Sequence, residues 1–184
     1  MNSIQLDDEI LANVIGTPGP RGLRGIPTVF WGAPGTAKTA RIEQAATVLD
    51  EPSITLTPQH DETTYGIVPF VTENHVRTPS HEWTERFSSR GIIILDDLTS
   101  HSGPVHAAQL RLLTHRETGS AKLGRDVTVI GIANQCADAA NGRPLSPATA
   151  NRFMHLFLDL PWPVVAQYLV DLDAPAFPRL RAHI

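Results

Sequence analysis

The sequence of 184 residues is poor in cysteine, in basic residues and in long apolar runs. Its one cysteine, Cys136, excludes an intrachain disulfide, and we interpret it as a reduced thiol without a special role. Lys and Arg total 15 against 19 Asp and Glu and form no basic run, so we expect no direct binding of DNA or RNA. No apolar run reaches the roughly 20 residues that a membrane helix needs.

Two further absences narrow the function. The first nine residues are acidic where a secretory signal would be basic and then apolar, so we expect a cytoplasmic protein. The eight histidines show no spacing typical of a metal site, and we interpret them as surface or polar-loop residues. The histidines considered are His60, His75, His81, His101, His106 and His115.

The most informative stretch present is GAPGTAKT at residues 32–39, which follows an apolar segment and precedes a helical pattern. It matches the phosphate-binding loop G-x-x-x-x-G-K-[ST] except that Ala37 replaces the last glycine. In such a loop backbone N–H groups face an anion, Lys38 reaches the outer phosphates and Thr39 ligates Mg²⁺. We expect Ala37 to lie in the first helical turn with right-handed dihedrals, which tolerate a methyl group. The predicted nucleotide-binding residues are Gly32, Pro34, Gly35, Thr36, Ala37, Lys38 and Thr39, and the alternative is an ordinary glycine-rich turn.

The alternation of apolar and amphipathic segments predicts the fold class. Strand patterns alternate with helical patterns, which indicates a three-layer α/β fold with a parallel sheet and right-handed crossovers. The predicted strands lie at 26–31, 53–57, 91–97, 127–132 and 155–159. The predicted helices lie at 3–15, from 39 to before Pro52, at 82–88, from Pro104, and from Pro147 to near Arg152 with Ser146 as the N-cap.

The domain boundaries follow from the same pattern. Residues 1–25 are predicted to form an N-terminal helix and a loop rich in glycine and proline. Residues 26–165 form the nucleotide-binding core, and residues 166–184 form a tail or the start of a lid. Residues 59–90 mix polar, aromatic and breaker residues, and their role stays open.

Four polar residues after the predicted strands are candidates for chemistry, because nucleotide hydrolysis needs charge stabilisation and a positioned water. Asp96 ends a buried strand and is placed to hold Mg²⁺ beside Thr39, while Asp97 is placed to polarise the water. Asn134 follows the next strand and points at the γ-phosphate or the water if that strand adjoins the first one. Arg152 is expected at the surface, as a solvated residue or as an arginine finger for a neighbouring subunit. The alternative for Asp96 and Asp97 is that they only begin a loop, and the alternative for Asn134 is an ordinary turn amide.

As an ordered set, these motifs resemble AAA+ ATPases, and most closely the MoxR and dynein-related branch. The segments that carry the resemblance lie at 32–39, 61–66, 79–84, 92–97, 129–134 and 145–153. Alanine in the position of Ala37 is frequent in that branch. The resemblance covers roughly residues 14–165.

The resemblance implies a family architecture and a set of roles. It implies Walker A at 32–39, Walker B at Asp96 and Asp97, sensor 1 at Asn134 and a trans-acting arginine finger at Arg152. It also implies a five-stranded sheet in the order 5-1-4-3-2 and a ring, usually hexameric, with ATP and Mg²⁺ at the subunit interfaces. Its partner proteins often carry von Willebrand A domains.

The sequence departs from this family in two respects. The second Walker B carboxylate is usually Glu, and Asp97 is shorter by one methylene. We therefore expect the water to be held about 1 Å out of place, a displacement that can cost on the order of 10²-fold in rate. A helical lid with a sensor 2 arginine normally follows the core, whereas about two dozen residues follow Pro161. We therefore expect slow hydrolysis, and either a truncated core or a protein without the lid.

Three functions are open at this point. The first is a Mg²⁺-dependent AAA+ ATPase of MoxR-like type, which remodels or activates a partner protein. The second is an ATP-binding switch or assembly subunit with little or no hydrolysis, motivated by Asp97. The third is a small phosphotransferase of the nucleoside-kinase type. Such an enzyme is expected to carry an arginine-rich lid over its acceptor, and this sequence shows none.

Overall fold

The computed structural model describes residues 8–19, 22–66, 69–72, 75–77, 81–135, 144–158, 163 and 166. The predictions for Cys136 and for nearly all of the C-terminal segment 166–184 lie outside these residues. Within the described part of the chain, no helix has both the length and the apolar character needed to cross a bilayer.

Five α-helices and nine β-strands form the described part of the chain. The helices are α1 (Asp8–Gly16), α2 (Lys38–Val48), α3 (Glu82–Arg86), α4 (Gly103–His115) and α5 (Pro147–Ala150), with one 3₁₀ turn at Leu98–Ser100. The strands are β1 (Thr28–Trp31), β2 (Ser53–Leu56), β3 (Phe70–Thr72), β4 (His75–Arg77), β5 (Arg90–Leu95), β6 (Glu117–Thr118), β7 (Ala121–Lys122), β8 (Asp126–Ala133) and β9 (Met154–Phe157). Within the described residues, the helices and strands predicted from periodicity are present with end shifts of a few residues. Residues 3–7 of the first predicted helix and residue 159 of the last predicted strand lie outside the described residues.

The central sheet contains five parallel strands in the order β2-β5-β8-β1-β9. This notation differs from the predicted 5-1-4-3-2 because the four strands of two short hairpins are counted along the chain. Numbered 1 to 5 among themselves, the sheet strands read 2-3-4-1-5, which is 5-1-4-3-2 from the opposite edge. The strand that leads into residues 32–39 therefore lies next to β8, and β5 lies one strand further on.

Apolar side chains cover both faces of this sheet, as expected for parallel strands between helical layers. One core cluster packs α1 and α2 against alternate residues of β1, β5 and β8, with Phe30, Ile42 and Ile94 fully buried. The other cluster packs α4 and the aromatic residues of α3 against the opposite face. Trp83 and Phe87 meet there edge to face at 6.0 Å between ring centroids, and both are buried.

Two helices begin with a serine N-cap and a proline in the first turn, and the cap at Ser146 was predicted. The Ser146 hydroxyl accepts a hydrogen bond from the Thr149 N–H at 3.1 Å, and Pro147 is the first residue of α5. Ser102 caps α4 in the same way, with Pro104 in its first turn. Each cap therefore fixes the residue at which its helix begins, after a loop that follows the carboxyl end of a sheet strand.

Trp31 and His101 differ in how far they are buried. Trp31 is half-buried: it packs against a core cluster and stacks on His155 and Phe157 of the edge strand β9. A tryptophan at the last position of a strand has core on one side only, and its indole N–H donates to the His155 ring. His101 was expected at the surface or in a polar loop, but it is only 3% exposed.

Candidate functional site

The carboxyl ends of three adjacent parallel strands bring the predicted site residues together. Residues 32–37 leave β1, Asp96 and Asp97 leave β5, and Asn134 leaves β8. Because parallel strands all end at the same edge, these segments border one cleft. Its volume is about 390 Å³, and its lining residues are Pro34, Gly35, Thr36, Ala37, Lys38, Thr39, Ala40, Asp96, Asp97, Ile132 and Asn134.

The backbone of the loop turns sharply before α2. Gly35 has a φ of 74°, and Ala37, the N-cap of α2, has φ 57° and ψ 24°. The expectation that Ala37 adopts right-handed dihedrals is therefore wrong. A residue with a Cβ in this left-handed region costs about 1–2 kcal/mol, which is the physical reason that glycine suits the position.

The N–H groups of this turn are unpaired in the described part of the chain. The backbone N–H groups of residues 35, 36, 37, 38 and 39 form no hydrogen bond with a described acceptor. They stand at the N-terminus of α2, where the helix dipole also favours negative charge. Unpaired donors that border a cleft at a helix N-terminus fit a phosphate group.

Lys38 is the buried cation of the cleft. Its ammonium donates to the carbonyl oxygens of Gly32 at 3.1 Å and Ala33 at 2.6 Å, and to Asn134 Oδ1 at 3.1 Å. Burial lowers the pKa of Lys38 below its usual value, and the carboxylates of Asp96 and Asp97 oppose that shift. The ammonium of Lys38 is thus held by two carbonyl oxygens of its own loop and by Asn134, and an anion that binds Lys38 would replace these acceptors.

Thr39 and Asp96 form a candidate site for Mg²⁺. The Thr39 hydroxyl donates to Asp96 Oδ1 at 3.0 Å, so two oxygens of the kind that Mg²⁺ prefers are already adjacent beside the phosphate loop. Mg²⁺ usually takes one or two carboxylates and completes its shell with water and phosphate oxygens. The donor set therefore fits this cation.

Asp97 and Asn134 complete the wall opposite the loop. Asn134 Nδ2 lies 3.4 Å from Asp97 Oδ1, while Asn134 Oδ1 accepts from Lys38. Asp97 has φ 47° and ψ 48°, a left-handed conformation that Asp tolerates better than most residues. Asn134 thus connects the lysine of one wall to the carboxylate of the other.

Gly32 and Arg152 are the two predicted site residues that do not line the cleft. Gly32 lies beneath the lysine stem, where an added Cβ would come within 3.1 Å of the Leu158 carbonyl and 3.3 Å of Lys38 Cδ. Arg152 is exposed in the turn after α5, and its guanidinium donates to the Ala148 carbonyl at 3.4 Å. Its predicted exposure is confirmed.

One residue of the site region was missed by sequence reasoning. His101 Nε2 lies 2.9 Å from the backbone carbonyl of Asp96, and burial lowers the pKa of this histidine to about 4. A histidine five residues after a carboxylate is too common a pattern to be a signal. Its burial depends on how the 3₁₀ turn folds back against α4, which no local pattern reveals.

The comparisons with known proteins bear on the fold. No protein-family model matches the chain, and no curated protein matches it significantly. Among solved structures, the chain is similar to a crystal structure described as a "putative ATPase" from Cytophaga hutchinsonii, with a TM-score of 0.59 and 19% sequence identity. The match covers 92% of this chain and 50% of that chain, so the chain spans half the length of its structural neighbour. This similarity shows a shared α/β fold, which in this chain contains the five-stranded parallel sheet.

Proposed function

We propose that this chain is the nucleotide-binding core of a Mg²⁺-dependent ATPase of AAA+ type. The observation that carries the proposal is the convergence of Lys38, Thr39, Asp96, Asp97 and Asn134 on one cleft beside unpaired N–H groups. The fold shared with the "putative ATPase" supports it. We assign the core to residues 26–165 and the finer type to the MoxR-like branch, on the motifs and their order.

Each residue has a distinct task in the proposed reaction. The N–H groups of residues 35–39 bind the phosphate oxygens, and Lys38 leaves its loop carbonyls to neutralise the outer phosphates. Thr39 and Asp96 hold Mg²⁺, which supplies charge stabilisation to the phosphates when bound. Asp97 accepts a hydrogen bond from the attacking water and takes its proton, and Asn134 orients the water or the γ-phosphate.

Binding is the first test of this proposal. Calorimetry with ATP in the presence of Mg²⁺ should give a one-site isotherm for the wild-type protein. GTP under the same conditions, and ATP with EDTA, provide the comparisons for base and metal. Absence of any nucleotide binding by the wild-type protein would remove the basis of the proposal.

Arg152 is proposed to act on the ATP of a neighbouring subunit. The described residues that line the cleft include no arginine, and Arg152 is exposed away from it. An arginine that stabilises the charge of the transition state is worth about 10³–10⁵ in rate when another subunit supplies it. We therefore infer a ring, hexameric by family resemblance, with ATP at its interfaces.

A mixing experiment tests this arrangement. Arg152→Ala should bind ATP normally but lose turnover, and Lys38→Ala should lose binding. A mixture of the two variants should regain part of the turnover, because the intact cleft of the first meets the intact arginine of the second. Arg90→Ala, an exposed arginine at the opposite end of the sheet, serves as control. A mixture without recovery would argue against action between subunits, and native mass spectrometry with a slowly hydrolysed ATP analogue checks for the ring.

The work done with ATP is proposed to be remodelling or activation of a partner protein. The family resemblance is the basis for this step, and a von Willebrand A domain protein is the candidate partner. Co-purification from cells with a variant that binds ATP without hydrolysing it, compared with Lys38→Ala, tests for a nucleotide-dependent partner.

The second candidate is an ATP-binding switch with little or no hydrolysis. Asp97 favours it, because its short carboxylate is directed to Asn134 and its backbone is fixed in a left-handed conformation. Single-turnover measurement of phosphate release separates the candidates. Appreciable release that is lost in Asp97→Asn supports the ATPase, whereas tight binding without release supports the switch.

A further inference from the structure

A row of buried polar side chains begins at the Asp96 carbonyl and runs away from the cleft. The His101 ring lies 2.9 Å from that carbonyl through Nε2, and its Nδ1 contacts the side-chain nitrogen of Gln109. The same Gln109 nitrogen lies 3.1 Å from the hydroxyl of Tyr65. His101, Gln109 and Tyr65 are 3%, 0% and 1% exposed, so water does not compete for these contacts.

The direction of these hydrogen bonds is fixed by their chemistry. A carbonyl oxygen only accepts, so His101 carries its hydrogen on Nε2 and donates it to Asp96. His101 Nδ1 is then an acceptor, and the Gln109 amide donates one hydrogen to it and the other to the Tyr65 hydroxyl. These hydrogen bonds are mutually consistent in a single arrangement, which selects one tautomer of His101 and leaves Gln109 Oε1 buried without a described partner.

The far end of the row is attached to the packed core. The Tyr65 carbonyl accepts from the Thr118 hydroxyl at 2.8 Å, and the Trp83 indole donates to the Thr64 carbonyl at 2.9 Å. The turn that carries Tyr65 is therefore fixed to the β6–β7 hairpin and to α3. Because the row is fixed at Tyr65, it restrains the backbone carbonyl of Asp96 that His101 contacts at its other end.

What it contacts is the peptide group between Asp96 and Asp97. His101 binds the carbonyl oxygen of this peptide group, and the backbone N–H of Asp97 donates to Asp96 Oδ1 at 2.9 Å. That oxygen also accepts from the Thr39 hydroxyl. The orientation of one peptide plane thus sets the Asp96 carboxylate and the left-handed backbone of Asp97.

We propose that His101 and Gln109 are positioning residues of the nucleotide site. His101 holds the Asp96–Asp97 peptide so that both carboxylates face the phosphate loop, and Gln109 holds the His101 ring in the form that donates to it. Neither residue touches nucleotide or metal. The inference rests on the proposed binding of ATP and Mg²⁺ at this cleft.

The test compares His101→Leu, which removes the donor, with His101→Gln, whose amide nitrogen reaches about the same place. Residues that orient metal ligands typically change affinity or activity by about 10–100-fold. We expect His101→Leu to reduce the gain in ATP affinity on adding Mg²⁺ about tenfold and to lower kcat at least tenfold. Binding of ATP in EDTA should stay within about twofold, and His101→Gln should restore most of both losses.

Two further variants sharpen the interpretation. Gln109→Leu should show the same pattern with a smaller loss, since it only releases the ring. His115→Gln is the matched control, because His115 is exposed at the last residue of α4, and it should stay within about twofold of wild type.

The outcomes separate this inference from the proposed function. Wild-type protein that binds no ATP overturns both. Wild-type binding with His101→Leu unchanged, or with equal losses in His101→Leu and His101→Gln, overturns the inference alone. Nitrogen-15 NMR of the wild-type histidines gives a reading that needs no variant to fold: the Nε2–H tautomer of His101 is expected, and the Nδ1–H tautomer overturns the inference.

Discussion

The two walls of the cleft differ in how their polar groups are satisfied. On the loop wall, residues 35–39 present backbone N–H groups without described partners, and Ala37 is held in a left-handed conformation. On the opposite wall, Asp96 and Asp97 are bound to Thr39, His101 and Asn134. Under the proposed function a bound phosphate would satisfy the N–H groups of the loop wall, whereas other protein groups already satisfy the carboxylate wall.

This difference assigns different energetic roles to the walls. Unpaired donors gain their full hydrogen-bond energy only when an anion arrives, so the loop wall should determine affinity. Groups that are already oriented lose no freedom during the reaction, so the carboxylate wall should mainly determine rate, apart from the contribution of Asp96 to the affinity for Mg²⁺. Variants on each wall can test this division.

The largest effect should come from Lys38→Ala on the loop wall. It removes the only described cation that lines the cleft, and hydrogen bonds to charged groups are worth about 1.5–3 kcal/mol each. The Kd for MgATP should rise at least about 100-fold in calorimetry. Lys122→Ala, on an exposed hairpin, is the control. Retained affinity in Lys38→Ala would break the assignment of affinity to the loop.

Asp97→Asn should affect rate without affecting affinity. Loss of a general base typically costs about 10²–10⁴ in turnover, while the amide keeps the shape of the carboxylate. Phosphate release should fall by at least about 100-fold, and the Kd for MgATP should stay within about threefold. Asp126→Asn, at the opposite end of β8, is the control. A large loss of affinity instead would show that the walls are not separable.

Thr39 lies where the two walls meet, and Thr39→Ala should have an intermediate effect. It removes one proposed Mg²⁺ ligand and the hydrogen bond to Asp96. The affinity for MgATP should fall about tenfold, equivalent to about 1.4 kcal/mol, with little change for ATP in EDTA. Thr39→Ser should restore binding, and Thr47→Ala, further along α2, should not alter it.

The smallest effect should be on stability, through Ala37→Gly. Glycine adopts the observed left-handed dihedrals without the steric cost of a Cβ, so unfolding should become harder by about 0.5–1 kcal/mol. For a chain of this size that corresponds to a rise in Tm of about 2–4 °C per kcal/mol in thermal denaturation. Ala40→Gly, inside α2, should lower the Tm instead. Equal signs for the two variants would contradict the strain at Ala37.

The contrast between the walls also explains what the sequence could predict. The loop, Asp96, Asp97 and Asn134 were found because each follows an apolar strand pattern, and parallel strands end at one edge. The strand succession and the Ser146 cap were predictable for the same reason, since they depend on neighbours in the chain.

The features that were missed depend on contacts between distant segments. His101 is buried by Gln109 and Tyr65, which lie 8 and 36 positions away in the sequence, and no periodicity links them. The dihedrals of Ala37 were misjudged because the boundary of a helix is uncertain by a residue or two, and that margin separates an N-cap from a first turn.

The contacts of Lys38 imply a criterion for which molecules can enter the cleft. Its ammonium is already stabilised by two carbonyl dipoles and an amide oxygen. A ligand must offer enough negative charge to make it favourable for Lys38 to give up these oxygens. A nucleoside or a monophosphate therefore gains little from binding to Lys38. Discrimination among nucleotides would then follow the number of phosphates more than the identity of the base.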